Sequence, residues 1–280
     1  VKKSTKGNLA EFDKTLYEDE KHDRQMHLEF YQLIEKEQLT YYFQPILSAK
    51  NGEIIAYEAL MRSQLATLKN PEMILRIARE ENKLEDVERI CIFKSTETFD
   101  QLRKNKLVKE DALLFINSIA SVSLNDEDRE RFHRYFSHIQ SQIVVEVTEE
   151  ENMSEEALIR KRETKGFSGM FALDDYGSGY NTEINLLNLS PKYIKIDLTI
   201  VRNIDKDFDK QQLVSNIVEY AHQREGYIIA EGIETKEELL KVLELGVDYL
   251  QGYYLSYPQL NPQEVSNESI KTIENYWKKR

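Results

Sequence analysis

The chain has 280 residues, 40% hydrophobic and 31% charged, and a formal net charge of -12. That length holds one large α/β barrel or two ordinary domains, and the balance is that of a water-soluble globular protein. The acidic surplus, with no clustered basic stretch, argues against a nucleic-acid polymer as partner. A small anionic substrate stays open if metal ions stand between it and the acidic side chains.

No apolar run approaches the roughly 18 residues of a spanning helix, and no N-terminal signal pattern is present. The chain is therefore expected in the cytoplasm with no membrane segment of its own, although a longer protein carrying it could be membrane-tethered. The single cysteine, Cys91, excludes a disulfide framework and reads as a buried thiol.

Residues 1–25 are charged, with few apolar anchors beyond Leu9, Phe12, Leu16 and Tyr17, and read as a linker or the remnant of an upstream domain. A chain beginning at Val1 also reads as a piece of a longer protein. The folded unit is expected over residues 26–280, opening with a helical stripe between Met26 and Glu37. Short apolar runs then alternate with helical segments, the pattern of parallel strands joined by crossover helices. The runs are Tyr41–Leu47, Ile54–Leu60, Leu113–Asn117, Ile143–Val147, Met170–Asp174, Tyr193–Ile196, Tyr227–Ala230 and Tyr249–Gln251. Helices are clearest at Pro71–Glu80, Leu84–Leu102, Gln211–Gln223 and Lys236–Leu245, the last closed by Gly246. Eight strand-like runs favour a closed barrel over an open sheet.

In such barrels the chemistry sits where strands end. Gln44 lies in the first run, and Glu58, Asn117, Glu146, Asp174 with Asp175, Lys195, Glu231 and Gln251 mark the ends of the other seven. Any one of them alone reads as a solvated charge or a cap. Together they bring carboxylates close enough to need protons, basic partners or metal ions. Their hard oxygen atoms suit magnesium or manganese, and the adjacent pair Asp174–Asp175 suits a two-metal site of the kind used for phosphoester hydrolysis. The five histidines, His22, His27, His133, His138 and His222, lie away from the strand ends. Gly177 and Gly179 fit a tight, ligand-facing turn after the fifth strand but complete no nucleotide-binding loop.

Over about residues 28 to 260 the chain resembles the EAL family of cyclic di-GMP phosphodiesterases. The resemblance is carried, in order, by Gln44-Pro45-Ile46, Glu58-Ala59-Leu60 with Arg62, Asn117, Glu146-Val147-Thr148-Glu149 and the stretch from Asp174 to Tyr180. It continues through Lys195-Ile196-Asp197, the stretch from Ala230 to Thr235, and Gln251-Gly252-Tyr253. Ser63 to Asn70 lacks the Trp and His-Pro common in the family, Tyr176 replaces the more frequent Phe, and Asn181, Thr182 and Glu183 stand where small hydroxyl residues are usual. Phe12 to Lys21 weakly resembles the last helix of a GGDEF domain.

The resemblance implies a modified TIM (β/α)8 barrel with one antiparallel strand. It also implies hydrolysis of cyclic di-GMP, a bacterial second messenger, to linear pGpG by in-line attack of a metal-activated water. Two divalent cations, Mg2+ or Mn2+, are implied, held by Glu58, Asn117, Glu146, Asp174, Asp175 and Glu231. Lys195, Glu231, Gln251 and Glu149 take catalytic roles, Glu149 by bracing the loop from Tyr176 to Leu186. Gln44, Arg62 and Tyr253 face the substrate. Fusion to other signalling domains and a homodimer also fit the resemblance. The competing readings are a catalytically silent cyclic di-GMP receptor, a two-carboxylate barrel glycosidase and a scaffold; the glycosidase is disfavoured because the single tryptophan, Trp277, lies beyond the barrel.

Overall fold

The computed structural model describes residues 2–148, 170–178, 186–187, 189–262 and 264–280. Helix α1 (Lys2–Lys36) runs unbroken across the expected division at residue 25. Its last turns bury Met26, Phe30 and Leu33. Strand β1 (Leu39–Ser48) then reverses into β2 (Ile54–Ser63) through Gly52, whose φ of +71° suits a residue without Cβ.

Helices α2 (Pro71–Glu80) and α3 (Leu84–Lys104) follow, then β3 (Leu113–Asn117), α4 (Asp126–Phe136), β4 (Ile143–Thr148) and β5 (Met170–Tyr176). The chain closes with β6 (Tyr193–Ile196), the short α5 (Leu198–Val201), α6 (Phe208–Gln223), β7 (Tyr227–Ala230), α7 (Lys236–Glu244), β8 (Tyr249–Leu250) and α8 (Asn267–Lys278). Local chemistry sets the starts. Asn70 accepts from Glu72 N ahead of Pro71, Asn125 accepts from Asp128 N, and Thr235 with Glu238 forms a reciprocal capping box.

The eight strands close into one barrel. β1 is antiparallel to both β2 and β8, and every other neighbouring pair is parallel. The single reversed strand expected from the family resemblance is therefore present. Helix α8 was not anticipated from sequence, although Ile270, Ile273 and Trp277 carry its spacing. It packs Ile273 into the core, and its Trp277 Nε1 donates to Ala49 O at 2.8 Å, beyond the end of β1.

Two apolar layers lie between strands and helices, and a third fills the barrel itself. The inner layer contains Ile46, Ala56, Phe115, Val144, Ala172, Tyr193 and Ile229, with Tyr249 packed against it. Side chains two apart in a strand share a face. One step of two toward the mouth from these residues leads to Gln44, Glu58, Asn117, Glu146, Asp174, Lys195, Glu231 and Gln251. The barrel is thus plugged by an apolar layer with a polar ring directly above it. Among the described residues, no helix is long and apolar enough to cross a membrane.

Candidate functional site

Lys195 occupies the middle of the polar ring, with only 1% of its surface exposed. Its Nζ lies 2.5 Å from Glu146 Oε1, 2.7 Å from Glu231 Oε1, 3.0 Å from Asp174 Oδ1 and 3.5 Å from Glu58 Oε2. Burial alone would lower its pKa, but the four carboxylates, led by Asp174, hold it well above the usual lysine value.

The carboxylates feel the opposite pull. Burial first, and then like-charged neighbours, push Glu146 and Glu231 well above the ordinary range and raise Asp174, with Lys195 partly offsetting each. Burial and Asp174 raise Asp175 to about 7. One ammonium among five carboxylates leaves the ring short of positive charge.

Asp175 reaches the site by an irregularity in β5. Adjacent residues of a regular strand point to opposite faces. Here the pairing with β6 shifts register between Leu173 and Tyr176, and Asp175 adopts φ +57°. This left-handed conformation, which Asp tolerates better than most residues, brings the second carboxylate round beside the first. Two triads result: Glu58, Glu146 and Asp174, and Asp174, Asp175 and Glu231, each with one oxygen per residue within 4.8 Å of the others. Asp174 belongs to both.

Amide side chains brace the ring. Asn117, exposed at the end of β3, donates through Nδ2 to Glu58 Oε1 at 3.2 Å. Gln251 Nε2 donates to Glu58 Oε2 at 2.6 Å and to Gln44 Oε1 at 3.2 Å, and Gln44 Nε2 donates to Ser256 O at 3.1 Å. Gln44 is therefore committed to the protein on both sides, whereas Arg62 and Tyr253 are open to solvent to different degrees. Arg62 is half-buried, donates to Met61 O at 2.9 Å and lies over the Tyr42 ring. Tyr253 is exposed and stacked on Tyr257 with ring centroids 4.7 Å apart.

Glu149, Gly179 and residues 181–183 lie outside the described residues. The histidines stay away from the ring: His27 pairs with Glu81, His133 with Gln140, His138 with Asp100 and His222 with Asp248. Cys91 is half-buried, with its thiol pushed up to about 12 chiefly by burial.

Sequence reasoning gave no role to Asp197, which caps α5 by accepting from Thr199 N at 2.9 Å and adds to the field on Asp175. Its signal in the sequence was its place in the Lys195-Ile196-Asp197 stretch. The donor set fits hard divalent cations: carboxylate oxygens with one amide, no thiolate or imidazole, and a buried Glu146 Oε2 without a hydrogen-bond partner among the described residues.

The sequence model of the EAL domain family matches residues 27–258. The bifunctional diguanylate cyclase/cyclic di-GMP phosphodiesterase MucR of Pseudomonas aeruginosa is 28% identical over 240 residues, covering 81% of this chain and 34% of MucR. The cyclic di-GMP phosphodiesterase PdeF of Escherichia coli K12 is 33% identical over 120 residues, 42% of this chain and 16% of PdeF. The chain thus spans well under half the length of these curated relatives. Among solved structures, the PaMucR phosphodiesterase in complex with c-di-GMP superposes with a TM-score of 0.70 at 26% identity, covering 84% of this chain and 97% of that one.

Proposed function

This chain belongs to the EAL domain family, and on that premise we propose that it hydrolyses cyclic di-GMP to linear pGpG with the help of two divalent cations, Mg2+ or Mn2+. The observation that carries the proposal is the pair of carboxylate triads sharing Asp174 at the barrel mouth. Glu58, Asn117, Glu146 and Asp174 would hold one cation, and Asp174, Asp175 and Glu231 the other. When bound, such a pair supplies Lewis acidity to the phosphate and a nucleophilic water at neutral pH.

The protein's own groups do the rest. Lys195, kept protonated by its carboxylate neighbours, offsets the negative charge that builds on the phosphoryl oxygens as water, giving up a proton, forms a P–O bond and the opposite P–O bond to the sugar breaks, its oxygen taking a proton. Gln251, fixed by its bond to Glu58, orients water or substrate. The planar fork of Arg62 suits the phosphate that is not being cleaved. Tyr253 offers an exposed ring face to a base. Glu149 is assigned a bracing role on the loop after β5 by its place in the motif alone.

The lengths of the relatives support fusion to other signalling modules, with residues 1–25 as a linker or the remnant of an upstream domain ahead of a 26–280 barrel. A homodimer and a cytoplasmic location complete the proposal. The test is chromatographic detection of pGpG from cyclic di-GMP and the purified chain, with Mg2+ or Mn2+ and with chelator. Chelator-sensitive pGpG is the expected result. Binding without turnover would instead mark a receptor, and neither binding nor turnover would overturn the choice of ligand.

A further inference from the structure

One buried carboxylate approaches the site from the helical layer and has no part in the ring. Glu88 of α3 is 2% exposed, in a stretch where Val87 and Ile90 are fully buried apolar residues. A carboxylate in such a place is costly unless it is well hydrogen-bonded. It accepts from Ile119 N at 2.9 Å and from the Ser118 hydroxyl. From the other side, Ser118 N donates to Glu146 O at 3.1 Å.

The first two residues after β3 are therefore held between α3 and β4. Asn117 immediately precedes them, in register with Glu146 and bonded to Glu58. Ile119 and Ala120 pack into the core, but on the side of Asn117 and Ser118 the loop borders a cavity of about 310 Å3, lined in part by Arg62, Glu88, Asn117 and Ser118. On that open side the hydrogen bonds to Glu88 add a restraint that apolar packing does not supply.

We propose that Glu88 is a positioning residue for the metal site: by anchoring Ser118 and Ile119 it fixes where Asn117 presents its amide. The proposal rests on the two-cation reading above. Groups that orient metal ligands typically change affinity by about 10- to 100-fold when removed.

The test is direct Mn2+ titration of the whole chain, by calorimetry or by loss of the free-ion EPR signal, with Tm measured in parallel. Glu88→Ala should weaken Mn2+ binding about tenfold, in the direction of Asn117→Ala. Glu88→Gln, whose carbonyl oxygen can still accept, should stay within about threefold of the parent, and Ser118→Ala should lose about threefold. Ile90→Val, a packing control in the same helix, should lower Tm and leave Mn2+ affinity unchanged. Unchanged affinity in Glu88→Ala, with Tm lowered as in the control, would overturn the proposal. If Glu88→Ala does not fold, unchanged affinity in Ser118→Ala does the same. A parent chain that binds no Mn2+ would remove the metal reading and this one with it, whereas a parent that binds and a Glu88→Ala that binds equally well removes this one alone.

Discussion

Lys195 Nζ lies 2.5 Å from Glu146 Oε1, and both side chains are essentially sealed from solvent. A buried pair of this kind is destabilised far more by losing one partner than the intact pair contributes, by about 3–5 kcal/mol. Three further carboxylates lean on the same ammonium. In metal-free buffer Lys195→Ala should therefore lower Tm by about 10 °C. Mn2+ should recover much of that loss by replacing the missing positive charge, while turnover stays about 10²- to 10³-fold down. Thermal scans with chelator and with Mn2+ decide it; a variant as stable as the parent in chelator would show that the carboxylates do not depend on Lys195.

Asp174 contributes to both triads, and Glu231 to one. Asp174→Asn should reduce bound Mn2+ from two ions toward none and abolish turnover, as should Glu58→Ala for turnover. Glu231→Gln should lose one ion of the two. Metal content after desalting, read by elemental analysis beside the turnover assay, separates these cases. Equal stoichiometry in Asp174→Asn and the parent would remove the shared-ligand assignment.

Asp175 carries a pKa raised to about 7 by burial and by Asp174, from an ordinary value of 3.8. An acid whose folded pKa is raised contributes stability that is full below the ordinary value and is lost as pH rises through the folded one. Metal-free protein should therefore lose stability between about pH 4 and 7 through this group. Asp100 and Glu238, which burial would raise but which hydrogen bonds, and for Asp100 the charges of His138 and Lys104, together hold low, act in the opposite direction near the acid end. The comparison is thus between the parent and Asp175→Asn in chelator: the variant's Tm should gain on the parent's as pH rises. Parallel Tm curves from pH 4 to 7 would contradict the raised pKa.

Gly252 follows Gln251 with φ +155°, and a Cβ there would stand 2.2 Å from both N and O of Ile233. Neither backbone atom can move, because Ile233 N donates to Gln251 O and Ile233 O accepts from Tyr254 N. Gly252→Ala should cost more than about 4 kcal/mol. Gly246→Ala, also at positive φ but with its nearest atom 3.7 Å away, should cost only about 1–2 kcal/mol. Denaturant unfolding of the two variants measures the contrast, and similar losses would show that the close approach of the two loops is not what requires Gly252.

Much of the barrel was legible in the chain because strand periodicity is local. The step of two from Phe115 to Asn117, from Val144 to Glu146 or from Tyr193 to Lys195 places an apolar residue in the plug and a polar one at the mouth, and both are read from neighbouring letters. The same locality made Pro71 and Gly246 reliable helix boundaries, while the spacing of Ile270, Ile273 and Trp277 in α8 passed unread. Tertiary structure alone decided how the ring is assembled. It set Lys195 among four carboxylates, three on strands and Glu231 just past the end of β7, turned Asp175 into the mouth through a left-handed residue, and brought Glu88 of α3 against the loop after β3. Those contacts join residues 21 to 137 positions apart in charge and hydrogen-bond networks, and no short-range pattern encodes which distant partner a buried charge will meet.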